Sequence, residues 1–412
     1  MNAEIISVGT ELLLGDIVNT NAQYLSKELA SLGINVYRQT VVGDNEERIL
    51  ESFERAFENS DIIVTTGGLG PTPDDLTKEV AAKYFKQELV LHEESYKKLE
   101  SYFKNNGRGV TESNKKQAYF PKEAIILENN HGTAPGAILE SENGKKIIIL
   151  PGPPKEMKPM FDERVVPYLK KLTDNVLVSK TLRLFGIGES HMAEEIKDII
   201  DTQTNPTIAP YAKDVDVTLR ITAKGKNEEE ARKLIIPMEK KVREKLGEFI
   251  YGEGETTLEE VVAKMLVDKK ITISTAESCT GGMIASKLIN YGGISECFLE
   301  GAVTYSNDAK ANRLGVKKET LDKYGAVSEE TAKEMAEGIA KTSGTDVGVS
   351  TTGIAGPTGG TKEKPVGLVY VGISYKGNTI VKRFEFQGDR NKVRIRTTMN
   401  ALNIIRKTIS EE

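Results

Sequence analysis

Along the chain, short apolar runs alternate with amphipathic stretches in a βα rhythm that starts at the first residues. Ile5-Ile6-Ser7-Val8 predicts a buried strand, and Asn21 to Leu32 carries the three-and-four spacing of a helix. Ile34-Asn35-Val36-Tyr37 predicts a second strand, Glu46 to Phe57 a helix, and Asp61-Ile62-Ile63-Val64 a third strand. A further helix is expected from Asp74 to Phe85, with Thr72 as N-cap, Pro73 at its first position and Asp75 three residues after the cap. Repeated units of this kind predict a parallel sheet covered on both faces. Ala137-Ile138-Leu139 and Lys146 to Leu150 flank a Glu142-Asn143-Gly144 turn and predict a hairpin, after which Pro151-Gly152-Pro153-Pro154 leads into a helix.

From Val176 the texture changes. An apolar run from Val176 to Phe185, a helix from His191 to Ile200, the alternating stretch from Val215 to Ile221 and a charged helix from Asn227 to Leu246 describe a small α+β domain. Gly252-Glu253-Gly254-Glu255 reads as a linker. A second α/β series follows, with a helix from Leu258 to Val267, a strand at Ile271-Thr272-Ile273 and further alternation to the end. The expected organisation is three domains, 1–171, 172–252 and 256–412, in an α/β chain whose 412 residues exceed one ordinary core.

Composition narrows the classes. Hydrophobic residues at 38% and charged residues at 28% fit a globular protein, and a net charge of -5 argues against a general nucleic-acid binder. The start, Met1-Asn2-Ala3-Glu4, lacks the basic and long apolar regions of a signal peptide, and no apolar stretch reaches the roughly 20 residues of a membrane span. The only cysteines, Cys279 and Cys297, supply neither a disulfide framework nor a Cys-based zinc site, so a cytoplasmic setting is expected.

The densest chemistry lies in the last third. Ala276-Glu277-Ser278-Cys279-Thr280-Gly281-Gly282 follows a strand and opens a helix from Met283 to Ile289, so Ser278 and Thr280 fall at the carboxyl edge of a sheet. The amides of Thr280, Gly281 and Gly282 there suit an oxyanion or phosphate, although Ser278 or Thr280 equally suits a plain N-cap. A strand Ala302-Val303-Thr304-Tyr305 runs into a helix with Asn307 as N-cap and Lys310 in the first turn, where the helix dipole lowers a lysine's pKa. Such a lysine can take a proton from a serine; the competing reading is a solvated surface lysine. His92, His131 and His191 all precede the linker, so a serine nucleophile here has no histidine partner within its domain. Cys279 is the rival nucleophile, set against the commoner role of a small buried side chain. The glycine-rich Gly353-Ile354-Ala355-Gly356-Pro357 follows a strand from Val347 to Ser350, and Gly388-Asp389-Arg390 offers a guanidinium for a phosphate.

In the first domain, Gly9 to Asp16 and Thr65-Thr66-Gly67-Gly68-Leu69-Gly70-Pro71-Thr72-Pro73-Asp74-Asp75 both follow strands. Gly67, Gly68 and Gly70 do not have the spacing of the dinucleotide fingerprint, but they form a glycine turn before a helix. Asp74 and Asp75 beside it are candidates to hold a divalent metal on a pyrophosphate, against the plainer reading of Asp75 as a capping residue. Glu11, Asp16 and Glu156 complete the candidate carboxylates.

The five C-terminal blocks, including Val303-Thr304-Tyr305-Ser306-Asn307 and Gly325-Ala326-Val327-Ser328, together closely resemble the CinA (competence/damage-inducible protein A) C-terminal family. The N-terminal motifs, with Gly132-Thr133-Ala134-Pro135-Gly136 and the Leu150 to Met157 block, resemble the molybdopterin-binding fold and, more closely, the CinA N-terminal domain. The middle segment resembles a KH-type module without a G-x-x-G loop, which reads as a structural or dimerising spacer. The resemblance implies two activities. One is a cofactor-free nicotinamide-nucleotide amidohydrolase that converts nicotinamide mononucleotide to the acid. The other is an N-terminal ADP-ribose pyrophosphatase that needs a divalent metal such as magnesium, manganese or cobalt. Joined to the residues, it gives Ser278 as nucleophile, Lys310 as base with Tyr305 assisting, the Thr280–Gly282 amides for the oxyanion, the Gly353–Pro357 loop for ring or ribose, and Arg390 for the 5′-phosphate. The expected partners are these nucleotides and a second copy of the chain, with neither a membrane nor nucleic acid. The alternative is a non-catalytic nucleotide- or pterin-binding adaptor in competence or the damage response.

Overall fold

In a computed structural model, the structure describes residues 1–410 apart from 106, 108, 174, 213 and 214. The chain forms two units, one of Met1–Ser179 with Thr222–Ile236, the other of Lys180–Ile221 with Pro237–Glu412.

The first unit is built on a six-stranded sheet. In spatial order its strands are Asn35–Val42, Asn2–Val8, Ile62–Thr66, Lys146–Leu150, Gly136–Glu140 and Ile125–Leu127. The first four run parallel; Gly136–Glu140 pairs antiparallel with Lys146–Leu150 as the predicted hairpin, and Ile125–Leu127 pairs antiparallel with Gly136–Glu140. Successive residues of a strand face opposite sides, and both sides here are apolar. Ile5 joins a cluster with Leu25, Leu29 and Met157, whereas Ile6 joins one with Ile49, Phe53 and Val80. Helices Thr20–Ser31 and Pro154–Met160 cover one face, and Glu46–Ala56 and Thr77–Tyr84 the other. Asn19 and Asn45 cap two of these helices by accepting from the Ala22 and Arg48 amides. The expected helix start at Asp74 is not observed. Asp75 folds back to accept from the Thr72 amide and hydroxyl, and the helix begins at Thr77 after an uncapped Leu76. The local turn takes the side chain that the cap required.

The middle segment has a four-stranded sheet in the order Thr207–Ala212, Val217–Gly225, Val176–Leu184, Ile250–Glu253. Its expected helix from His191 to Ile200 is two, Glu189–Glu195 and Lys197–Thr202, interrupted at Ile196. Gly252 and Glu253, read as linker, pair with Arg183 and Leu182 as strand.

The last third carries a five-stranded sheet in the order Phe298–Val303, Ile273–Glu277, Val347–Gly353, Leu368–Tyr375, Asn378–Glu385. The first three strands are parallel, and the last two join through antiparallel pairings, Leu368–Tyr375 with Val347–Gly353 and Asn378–Glu385 with Leu368–Tyr375. Helices Leu258–Lys269 and Arg390–Ser410 pack on one face through Val262, Leu266, Leu402 and Ile405 against Ile273 and Val349. Helix Glu329–Ser343 covers the other through Met335 and Ile339 against Ala276 and Leu314. Among the described residues, no helix is long and apolar enough to cross a membrane.

Candidate active site

The strand Ile273–Glu277, second in this last sheet, is buried at every position, and the chain leaves it at Ser278, whose amide donates to Thr351 O at 2.9 Å. Gly281 (φ 61°) and Gly282 (φ 89°) then turn it in the left-handed region into the helix Met283–Leu288. Glu277, 1% exposed, aims its carboxylate at that helix start, where Oε2 and Oε1 accept from the Ile284 and Ala285 amides at 3.1 and 2.9 Å. A carboxylate at the positive end of a helix satisfies two donors that otherwise lack partners. The first-turn amides of Ile284 and Ala285 are therefore taken by the chain itself. Of the three amides expected to face an oxyanion, that of Gly281 donates to Ser278 O at 3.2 Å. Gly282 donates to no backbone carbonyl among the described residues. The Thr280 side chain is buried and shares a 2.7 Å hydrogen bond with the Thr351 hydroxyl.

Lys310 approaches from the neighbouring edge of the sheet. Its helix, Asn307–Leu314, is capped by Ser306, which accepts from the Ala309 amide, and not by Asn307 as the spacing suggested. Lys310 and Leu314, one turn apart, form the inner face, and the lysine is only 1% exposed, which removes the surface-lysine reading. Its Nζ lies 3.2 Å from Ser278 Oγ, 2.9 Å from Thr304 O and 3.4 Å from Tyr305 O. Burial, not the helix dipole, is the main force that lowers its pKa. A neutral amine has two N–H groups and one lone pair. The two carbonyls can take the N–H groups and leave the lone pair for the serine proton.

Tyr305 contributes its carbonyl to the lysine, while its exposed phenol accepts from Arg390 Nη2 at 3.1 Å. Arg390 Nη1 donates to Gly356 O at 2.9 Å, which ties Tyr305 to the glycine loop. Within that loop Gly353 ends its strand, Ile354 exchanges backbone bonds with Leu368 and Gly367, and Ala355 is buried. Cys279 is buried and its thiol is pushed up to about 12, chiefly by desolvation, so it is no rival nucleophile. Sequence reasoning missed Glu277 as a helix cap, Thr351 as a strap and Arg394, whose Nε and Nη2 donate to Cys279 O at 3.2 Å and Thr280 O at 2.8 Å. The available signal for Arg394 was its position one helical turn beyond Arg390.

The N-terminal candidates are dispersed. Gly67 (φ 103°) packs so closely that a Cβ would lie 2.0 Å from Val8 O, and its turn closes on Thr77, which donates its hydroxyl to Gly67 O and its amide to Gly68 O. A Cβ on Gly70 would strike the Asp75 carboxylate, itself engaged by Thr72, and a hydrogen bond from Thr72 also holds Asp74 below the usual carboxylate range. Glu156 instead accepts from Asn129 at 2.8 Å beneath Gly132. Glu11 borders a cleft of about 280 Å³ with Asn21, Thr66 and Gly152, and Asp16 uses its amide to close the preceding turn on Glu11 O. Among the described residues, no group of three or more His, Cys, Asp or Glu is arranged to hold a metal. Held by Thr72, held by Asn129 and placed around the Glu11–Asp16 turn, these carboxylates do not fit a divalent ion as they stand.

Three family models match the chain: "CinA C-terminal domain" over residues 255–409, "Probable molybdopterin binding domain" over 4–171, and "Damage-inducible protein CinA KH domain" over 179–252. A competence-damage inducible protein of Clostridium perfringens is 69% identical over 411 residues, with 100% of both chains covered. A CinA-like protein of Kosmotoga olearia is 62% identical over 409 residues, covering 99% of each. The crystal structure of a CinA protein from Thermoplasma acidophilum is 41% identical, with 40% of this chain and 97% of that one covered at a TM-score of 0.37.

Proposed function

Because the chain belongs to the CinA family, we propose that its C-terminal domain hydrolyses the carboxamide of nicotinamide mononucleotide, releasing ammonia and the nicotinate nucleotide. The observation that carries this reading is the 3.2 Å approach of a buried Lys310 Nζ to Ser278 Oγ, in a domain with no imidazole. Lys310 takes the serine proton as Oγ bonds to the carboxamide carbon, and the Thr280 and Gly282 amides, which donate to no backbone carbonyl among the described residues, are the donors for the developing oxyanion. Breaking the C–N bond then passes that proton to the departing nitrogen, which leaves as ammonia. Water, deprotonated by the same lysine, attacks the acyl-serine ester; the ester bond breaks, the serine regains its proton and the acid departs. Tyr305, exposed beside the site, suits the pyridine ring, and Arg390, with N–H groups to spare beyond Gly356 and Tyr305, suits the phosphate.

Purified protein is expected to release ammonia from nicotinamide mononucleotide. Ser278→Ala should abolish the reaction and Cys279→Ala should leave it within several-fold. Tight nucleotide binding without turnover would favour the adaptor reading, and loss on Cys279→Ala alone would move the nucleophile. For the N-terminal domain we propose a small-molecule site at the cleft bordered by Asn21, whose Oδ1 is buried without a partner. Assaying ADP-ribose hydrolysis with and without chelator tests whether that ligand is a nucleotide pyrophosphate cleaved with a metal.

A further inference from the structure

We infer that Arg394 is a positioning residue for the nucleophile, an inference that rests on the serine–lysine reading of the site. Its Nε and Nη2 lie on one edge of the guanidinium and donate to two successive carbonyls, Cys279 O at 3.2 Å and Thr280 O at 2.8 Å. These are the two residues directly after Ser278, in the turn where the chain has left the sheet and Gly281 and Gly282 lend the backbone its freedom. A planar fork fixes both carbonyls at one spacing, which a flexible ammonium does not. A trans peptide carries its C=O and N–H on opposite sides. Drawing the 279 and 280 carbonyls toward the helix Arg390–Ser410 therefore turns the following amides away from it, and the Gly281 amide closes on Ser278 O. The fork is thus the one side-chain restraint among the described residues that reaches both peptide planes between Ser278 and the glycine pair. Gly281 completes the fit, because a Cβ there would sit 3.4 Å from Arg394 Nη2 in a backbone region side chains rarely adopt.

Without the fork, the turn keeps its strand on one side and its helix on the other but loses the orientation between them. Small misplacement of a reacting group costs about 10²-fold in rate. The test uses the full chain and a fluorophosphonate, which forms a covalent bond with an activated serine and expels fluoride whatever the natural substrate is. Arg394→Gln is expected to slow labelling of Ser278 and to lower kcat by about 10²-fold with KM little changed. The acid limb of the pH profile, set by Lys310, should stay in place. Arg394→Lys, or added guanidinium with Arg394→Gln, should recover part of the rate. Fully stoichiometric but slower labelling separates misalignment from a partly unfolded sample. Unchanged labelling and kcat in Arg394→Gln, or a loss confined to labelling stoichiometry, overturns the inference and leaves the deamidase reading standing. Labelling that slows as expected in a protein inert toward nicotinamide mononucleotide upholds the inference and removes that substrate. A wild-type Ser278 that takes no label removes both.

Discussion

An amine enclosed like Lys310, with one hydroxyl and two carbonyl oxygens around it, loses the hydration that favours its charged form. The proposed catalysis needs the neutral form, so kcat/KM should rise with pH through a pKa below the ordinary lysine value of 10.5 and level off above it. Lys310→Arg, which cannot lose its proton, should fall by about 10³-fold. An acid limb at the ordinary lysine value would remove the base assignment. A second buried lysine allows the same reasoning about stability. Lys78, 4% exposed, donates to Lys116 O at 2.7 Å over the Phe120 ring, and burial lowers its pKa to about 8. Below pH 8 it is charged in both folded and unfolded states and its burial cost is fully felt; between 8 and 10.5 only the unfolded state stays charged. The stability of the wild type relative to Lys78→Met should therefore rise by about 1.4 kcal/mol per pH unit across that window. Urea unfolding of both proteins at pH 7.5 and 9.5 measures it, and a constant difference would contradict it.

Elements were readable where the apolar pattern was unbroken, as in Ile5 to Val8, Ile62 to Val64 and the hairpin closing on Lys146 to Leu150, because burial on both faces leaves a continuous run. Boundaries escaped where a side chain had two local uses. Asp75 served the Thr72 turn instead of a cap, and Ser306 rather than Asn307 capped the lysine's helix. Ser278 and Lys310 were legible as candidates from their places after strands. The burial of Lys310 was not, since its helix is largely polar and only Lys310 and Leu314 turn inward. Arg394 was signalled only by its place one turn beyond Arg390; the carbonyl it holds lies 115 residues away, a contact that local pattern does not carry. Two predictions belong to packing between elements. Gly348 lets helix Glu329–Ser343 settle on strand Val347–Gly353 so closely that a Cβ would lie 2.1 Å from Ala336 O. Gly348→Ala should cost about 1–3 kcal/mol, read as a lowered unfolding temperature. Glu277→Gln keeps the shape of the cap but turns one of its two accepting oxygens into an N–H donor, and should cost about 1 kcal/mol in the same measurement. An unchanged transition would mean that the buried carboxylate contributes nothing to the helix start.

Over the whole molecule, the chemistry separates by type of donor. The proposed C-terminal reaction uses a hydroxyl, an amine and backbone amides, and among the described residues no carboxylate or imidazole bonds to Ser278 Oγ or Lys310 Nζ. Ammonia release should therefore proceed at full rate with a chelator present, and a chelator-sensitive rate measured by ammonia detection would show that a metal takes part. Of the N-terminal carboxylates, Asp74 and Asp75 are held by Thr72 and Glu156 by Asn129, so an ion bound by them has to draw Asp75 from Thr72 or Glu156 from Asn129. The Glu277 carboxylate has a last consequence for the direction of turnover. In the proposed reaction a neutral carboxamide held at Ser278, the next residue, meets little electrostatic resistance, whereas the acid left after hydrolysis would bring a second negative charge to the same end of the strand. Repulsion between the two favours discharge of product and opposes recondensation of acid with ammonia.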